Sequence, residues 1–528
     1  MNHISEYFSF RNNRRHNENR GIHYFFFKSI LIDMKYALLS VWDKTGIVDL
    51  ARILVQNDFK LLSSGGTAKE LSNAGIDITE VSEYTGAPEM MNGRVKTLHP
   101  KIHGGLLGRR GVDDRVMAER GIEKIDLLVV NLYPFEDMSG KGLPLNELVE
   151  YIDIGGPAMI RAAAKNFRDV AVVIDPKDYD FIKAAVKENG LTEAERLYLA
   201  RKVFARMAAY DGEISNYLYS IESEFPEVLS VQFRNGRELR YGENPHQKAA
   251  VYGESGIAGQ RSIQGKAMSY NNYLDTDSAV RLLREFDETA AVIVKHNNPC
   301  GVAIGETLHE AYIRARDVDP VSSYGGIVAL NREVGPDMAE EIASTFIEVV
   351  IAPSYTMEAL EIMKRKENMR VLVLPSDEET QELRTIDGGA LIQKTPKNIT
   401  ENWEVVTERE PTADEMEAMK LAMKICKHAK SNAIIFADKK SAIGIGAGQM
   451  NRVNSAEIAV SKAQFSLKGS AVASDAFLPF PDTLEVAAKA GATALLQPGG
   501  SIRDKEVIEA ANRLNVAMVF TGVRHFRH

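Results

Sequence analysis

From Tyr36 onward the apolar residues form short β-rich runs that alternate with amphipathic helical ones: "YALLSVW", "IVDLARILVQN", "FKLLSS", "AKELSNA" and, further on, "IDLLVVNLYPF". This βαβα order confines the chain to few solutions, because right-handed helical crossovers make the strands parallel and bury both faces of the sheet. Ligands of such sheets bind at the carboxyl ends of the strands, so the loops that follow strands are where chemistry is expected. A long helical stretch from Leu191 to Glu224 precedes a segment broken by Pro226, Gly236, Gly242 and Pro245. Beyond it the runs "AAVIV", "GGIVAL", "VLVLP", "NAIIFA" and "SAIGIGA" again alternate with helices, among them Ala413 to Lys427 and Asp504 to Leu514. Two α/β domains are expected, over residues 34–230 and 231–528, with residues 1–33 as an extension outside both.

Composition narrows the function classes. Apolar residues at 45% and charged ones at 26% fit globular domains and disfavour extended disorder. The absence of a repeat of 20 to 50 residues removes solenoids and propellers. With 64 basic and 73 acidic residues the net charge is −9, which argues against nucleic acid as a partner, since phosphate backbones need a basic face. No apolar run approaches the ~18 residues of a membrane helix. Two cysteines, Cys300 and Cys426, are too few for a disulfide framework and suit a cytoplasmic setting without a cysteine-based metal cluster. Residues 1–33 are polar and low in complexity, and Met34 directly precedes the first strand pattern. This leaves two readings of the extension, an upstream misassigned start and a targeting arm.

Several loops carry chemistry. "KLLSSGGTAKEL" sets Ser64, Gly65, Gly66 and Thr67 between a strand and a helix, where amides and the helix dipole favour a phosphate. "GRVKTLHPKIHGG" concentrates Arg94, Lys96, His99, Lys101 and His103, and together with the glycine loop it reads as a phosphate site. In "YIDIGGPAMIRAAAKN" the helix has Asp153 before it and Lys165 at its end. Nine helical residues span ~13 Å, so spacing favours a cap and a dipole partner over one shared site. "AAVIVKHNNPCGVAIG" runs a buried strand into Lys295 and His296, with Pro299 and Gly301 expected to turn the chain just after. A histidine near neutral pKa beside an ammonium suits proton transfer. "LRYGENPHQ" with Arg240 and Tyr241, "KSNAIIFA" with Asn432 and "GIGAGQMNR" with Arg452 are weaker signals. The last lacks G-x-G-x-x-G spacing and a following ribose-binding acid, so a nicotinamide fold is rejected.

In order along the chain, "SGGTAKEL", "GRVKTLHPKIHGGLL", "NLYPF", "IDIGGPAMIRAAAKN", "LRYGENPHQ", "VKHNNPCG", "SNAII", "GIGAGQMNR", "ASDAFLPFPD" and a terminal "RHF" run between Met34 and His528. This set resembles the bifunctional purine biosynthesis family, which joins phosphoribosylaminoimidazolecarboxamide (AICAR) formyltransferase to inosine monophosphate (IMP) cyclohydrolase. The resemblance implies a methylglyoxal-synthase-like parallel-sheet domain followed by a formyltransferase region with cytidine-deaminase-like α/β folds, in a homodimer. It implies 10-formyltetrahydrofolate as co-substrate and no metal, and the sequence carries no H-x-E paired with C-x-x-C. For formyl transfer it implies His296 as general base, Lys295 stabilising the oxyanion and Asn432 orienting the reactants. Arg240, Tyr241, Asn272, Arg452 and Arg524 would hold the ribonucleotide, with Phe477, Asp482 and Ser501 toward the folate. For ring closure, Lys165, Tyr133, Asp153 and Lys96 fill the catalytic positions. Ser40, Lys44, Ser64 to Thr67, Arg94, Thr97 and Asn131 would bind the nucleotide.

One departure stands out: the family commonly reads "SVSDK" where this chain has "SVWDK", so Trp42 replaces a small hydroxyl. Either the indole packs outward or it reshapes the pocket rim. Two rivals differ in function: a ligand-sensing first domain, which needs the phosphate loop but not Lys165 and Tyr133, and a formyltransferase with a degenerate cyclohydrolase half.

Overall fold

The computed structural model describes residues 36–188, 190–376, 381–395 and 403–528, so the 1–33 extension lies outside the described residues. The chain divides into two compact units, Met1–Gln232 and Phe233–His528.

In the first unit β1 (Tyr36–Ser40), β2 (Lys60–Ser63), β3 (Thr79–Glu80), β4 (Leu127–Val130) and β5 (Ala171–Val173) form one sheet in the order β3-β2-β1-β4-β5. Every neighbouring pair is parallel. Strands covered on both faces lose the in–out alternation of half-buried ones, and all four residues of β4 are buried. The chain builds outward from β1 to β3 and then restarts on the other side of β1 with β4. The loops leaving β1 and β4 therefore part to opposite faces and open a crevice at their carboxyl ends. The helix Glu193–Ser220 starts with a capping box between Thr192 and Glu195 and packs against the helix Gly155–Lys165.

The second unit opens with a small antiparallel pair, β6 (Arg237–Leu239) and β7 (Ala249–Val251). A mixed sheet follows, built from β8 (Ala290–Lys295), β9 (Asn298–Ile304), β10 (Ile327–Leu330), β11 (Val349–Ala352) and β12 (Arg370–Val373) in the order β12-β11-β10-β8-β9. After the hairpin β13 (Gln381–Ile386) and β14 (Gly389–Lys394), the last sheet uses β15 (Glu404–Val405), β16 (Ile434–Ala437), β17 (Ala442–Gly446), β18 (Ala471–Ser474), β19 (Ala494–Gln497) and β20 (Ala517–Phe520). Its order is β15-β20-β19-β18-β16-β17.

Apart from β15 the two sheets repeat one set of moves. Each has an antiparallel hairpin, a strand antiparallel to the first of that pair, and two further parallel strands. A helix precedes each hairpin, Tyr270–Leu283 or Ala413–Cys426, and another follows it, Leu308–Val318 or Arg452–Lys462. In each hairpin a glycine of the second strand lets the following helix lie close. A Cβ on Gly301 would stand 2.0 Å from Ala315 O, and one on Gly446 would stand 1.8 Å from Ser455 O. The sequence shows no short repeat because the duplication is of whole sheets and resides in topology. Alternation along each strand sorts the layers. Ala290, Val292 and Val294 of β8 join the core shared with Val280, Leu283, Met419 and Ile435, while Ala291 and Ile293 pack against helices on the far side. The two helices that precede the hairpins thus form a layer between the sheets.

The chain turns at His296 and Asn297, not at Pro299 and Gly301, which lie inside β9. Lys295 pairs with Asn298, so two residues close the hairpin. Proline is tolerated there beside a register shift in β8 between Ile293 and Val294.

Candidate active sites

The first candidate site gathers at the crevice beside β1. The helix Gly65–Asn73 begins directly after β2, and its N-cap Ser64 makes no side-chain cap bond, so the first amides of the helix keep no such partner. Ser64 Oγ lies 3.4 Å from Ser40 Oγ at the end of β1. Two ammonium groups converge on the glycines. A Cβ on Gly65 would stand 3.3 Å from Lys96 Nζ, and one on Gly66 would stand 3.9 Å from Lys44 Nζ. Burial pushes the Lys44 ammonium below its usual value, with Glu70 and Asp43 opposing. Lys44 also donates to the Val41 carbonyl and to Trp42 O. Amides, two hydroxyls and two cations around one helix start suit an anion.

Of the other basic residues of this stretch three are engaged elsewhere, while His103 Nε2 is buried without a hydrogen-bond partner among the described residues. Arg94 pairs with Glu150, His99 Nδ1 accepts from Lys101 N at 3.1 Å as a cap, and Lys101 Nζ donates to Tyr84 O at 3.2 Å. The run contributes Lys96 to the glycine loop rather than a five-residue cluster, because alternate side chains leave this irregular segment in different directions. Two candidate binding residues bond the backbone. Asn131 Oδ1 accepts the amides of Trp42 (2.6 Å) and Asp43 (2.9 Å), and its Nδ2 donates to Asp43 O. Thr67 Oγ1 both accepts from Val41 N and donates to Val41 O, each at 3.0 Å. Both side chains hold the loop after β1 in shape.

Beside this loop Tyr133, Asp153, Lys96 and Thr97 come together. Burial raises the Tyr133 phenol above its ordinary value, and the Asp153 charge raises it further, while Lys96 pulls it down. Burial likewise raises Asp153, opposed by the amides of Gly156, Tyr133 and Gly155. Asp153 Oδ1 accepts the Gly156 amide at 2.9 Å, so the helix cap expected from spacing is present, in the same place as the cluster. Thr97 is buried, and a Cβ on Gly155 would stand 2.8 Å from its hydroxyl. Lys165 ends the same helix on an exposed turn, about 15 Å of helix away. It has no hydrogen-bond or ion-pair partner among the described residues. Trp42 packs at the rim, with its ring centroid 5.1 Å from that of Tyr133 and 6.2 Å from that of Tyr151.

Two contributors carry no sequence signal. Tyr210, on the helix Glu193–Ser220, accepts the Asp153 amide at 2.8 Å and donates to Tyr151 O at 3.0 Å. Glu89 lies 3.1 Å from Lys96 Nζ. A buried tyrosine on a long helix reads as core, and only the fold brings it to Asp153.

In the second unit Lys295 ends β8 and donates to Tyr324 O at 2.7 Å, while His296 is exposed in the turn. Asn298 Oδ1 accepts Lys430 N at 2.9 Å, which joins this turn to the loop carrying Asn432. Asn432 Nδ2 donates to Gln449 O at 2.9 Å. Arg452 donates to buried Asp475 at 3.3 Å and lies over the Phe526 ring, as does Arg524. Burial raises the Asp475 carboxyl, with Ser431 and Arg452 opposing. Asn272 closes a capping box, its Oδ1 accepting Ser269 N at 3.1 Å.

The remaining candidates make contacts with residues close in sequence. Arg240 stacks on Tyr241, Phe477 is half-exposed, Asp482 Oδ1 accepts the Thr483 amide, and Ser501 N donates to Asp504. Among the described residues no hydrogen bond or ion pair ties Arg240, Tyr241, Phe477, Asp482, Ser501 or Arg524 to the His296 turn. Nor, among them, is any group of three or more His, Cys, Asp or Glu side chains arranged to hold a metal ion.

Comparison with known proteins places these features in one family. The model of the AICARFT/IMPCHase bienzyme matches residues 163–462, and that of the MGS-like domain matches residues 46–158. The bifunctional purine biosynthesis protein PurH of Bacillus cereus (strain B4264) is 50% identical over 509 residues, covering 94% of this chain and all of its own. That of Aquifex aeolicus (strain VF5) is 49% identical over 505 residues, covering 93% of this chain and all of its own. The crystal structure of ForH, at 36% identity and a TM-score of 0.32, covers 35% of this chain and 98% of its own, so that likeness is to a part. The glycine loop, the Tyr133–Asp153 cluster and the Lys295–His296 turn therefore stand in a chain that belongs to the AICARFT/IMPCHase bienzyme family, a bifunctional enzyme of purine biosynthesis with formyltransferase and IMP cyclohydrolase activities.

Proposed function

We propose that residues 231–528 transfer the formyl group of 10-formyltetrahydrofolate to the 5-amino group of AICAR, and that residues 34–230 close the formylated product to IMP. The observation that carries this division is that the candidate groups fall into two clusters, one in each compact unit: Lys96, Tyr133 and Asp153 in the first, Lys295, His296 and Asn432 in the second. In the first step the amine nitrogen attacks the formyl carbon, His296 takes the amine proton, and Lys295 stabilises the oxyanion until the folate N10 leaves and is reprotonated. Lys295 keeps two N–H groups free of the Tyr324 carbonyl for that purpose. With its Nδ2 held by Gln449, Asn432 offers its oxygen to the amine.

In the second step the carboxamide nitrogen attacks the formyl carbonyl and water leaves. The phenol of Tyr133, held protonated, donates to the formyl oxygen, and Lys96 offsets its negative charge. Asp153 accepts the carboxamide proton. Lys165 joins this set by its place in the motif. The glycine loop, Lys44 and Ser40 take the phosphate, while Asn131 and Thr67 act through the loop they hold. Arg240, Tyr241, Asn272, Arg452 and Arg524 bind the ribonucleotide, and Phe477, Asp482 and Ser501 line the folate side. The protein works as a cytoplasmic homodimer; both of its cysteines are buried and free, as a reducing compartment allows, and among the described residues no helix is long and apolar enough to cross a membrane. Purified protein given AICAR and 10-formyltetrahydrofolate should release tetrahydrofolate and IMP. Protein that leaves tetrahydrofolate unformed overturns the reading.

A further inference from the structure

The hairpin that carries His296 closes through two residues, His296 (φ 52) and Asn297 (φ 59), that are both left-handed. Two-residue hairpins need this conformation and usually meet it with Asn-Gly or Asp-Gly, because each side chain there costs roughly 1 kcal/mol or more. Neither position is glycine. The restraint comes from the helix Tyr270–Leu283. Asp275 Oδ2 accepts the His296 amide at 3.2 Å, and its Oδ1 accepts the Asn297 amide at 2.7 Å. Three residues on, along the same helix face, Ser278 donates to Asn297 Oδ1 at 3.0 Å and accepts from Arg527 Nη2 at 3.0 Å. Bonds from amides to a carboxylate are stronger than neutral ones, so a single side chain counters the cost of two unfavourable backbone conformations.

We propose that Asp275 is a positioning residue for formyl transfer: by clamping the amides of His296 and Asn297 it fixes the turn that presents the imidazole to the substrate amine. Its bonds run to the backbone, so it acts through His296 and not on the substrate. This inference rests on the reading of His296 as the general base.

In the full-length protein Asp275→Ala should lower kcat for formyl transfer roughly 10- to 100-fold, the cost of displacing a catalytic group by about 1 Å. KM for AICAR should change little. Cyclisation of supplied formylated nucleotide should persist, and the unchanged KM together with an unchanged circular-dichroism melting curve reports that the second unit is folded. Adding Asn297→Gly should restore most of the lost kcat, because glycine takes positive φ without penalty. A carboxylate acting by charge or proton relay would not be rescued in this way. If the alanine variant does not fold, Asp275→Asn carries the same test, with a lowered kcat that Asn297→Gly raises. An unchanged kcat, or no recovery with the glycine, overturns the proposal. His296→Ala measured alongside separates the two readings. Persistent formyl transfer in that variant sinks the general-base assignment, whereas its loss beside a fully active Asp275 variant sinks the positioning role alone.

Discussion

At Gly65 the backbone is left-handed (φ +56), and an added Cβ would press on the Lys96 ammonium from 3.3 Å. Gly65→Ala therefore strains the start of the helix and pushes away one of the two cations that face it. The strain should cost about 1 kcal/mol of stability, and the displaced charge should raise KM for the formylated nucleotide several-fold while formyl transfer stays unchanged. Steady-state kinetics of each step measures this, and an unchanged KM would remove the glycine loop from phosphate recognition. Single positions differ in how far their neighbours in sequence foretell them. The place of the glycine loop between a strand and a helix was legible, since the apolar runs that flank it are local patterns. Trp42 was not: its main chain is set by Asn131 and its indole by Tyr133 and Tyr151, all distant in sequence. The half-exposed indole rests against the Tyr133 and Tyr151 rings.

Elements show the same contrast in their capping and packing. The helix Ala413–Cys426 starts with a capping box in which Glu415 also forms a two-pronged pair with Arg409, at 2.9 and 3.0 Å. Burial would raise this carboxyl, but the Arg409 bonds and those of Thr493 and Thr412 outweigh it and hold it at about 2. A folded value below the unfolded one gives stability that is present above the unfolded pKa and lost as pH falls toward about 2. Glu415→Gln should then cost roughly 2 kcal/mol near pH 7, and the difference from the parent should shrink as pH drops below about 4. Urea midpoints at about pH 7 and about pH 3 test this, and an equal difference at both would show that the charge is not what matters. The helix was readable from its periodicity over Ala413 to Lys427. The Arg409 fork was not, because its geometry also needs the strand end at Thr493. Likewise the run into Lys295 and His296 was visible, yet the turn fell at His296–Asn297, because the partner strand's register fixes where a hairpin closes.

For the whole molecule, two units with separate candidate clusters predict separable chemistry. His296→Ala should reduce formyl transfer by ~10²–10⁴-fold, the usual contribution of a general base, and leave cyclisation of supplied formylated nucleotide intact. Lys165→Ala should do the reverse and accumulate that intermediate when folate is present. Chromatography of nucleotides over time distinguishes the cases, and loss of cyclisation in a folded His296 variant overturns the division. By itself the sequence determined the α/β class, the ordered motifs and the strand-end loops, because periodicity and turn chemistry are local properties of the chain. Tertiary structure alone decided which of those loops meet: Lys96 and not Arg94 turns to the glycine loop, Tyr210 ties down Asp153, Asp275 clamps the His296 turn, and two sheets repeat one topology. The first three are contacts between segments apart in sequence and the last is an order of strands, all set by strand pairing and helix packing, and no local pattern encodes such distances.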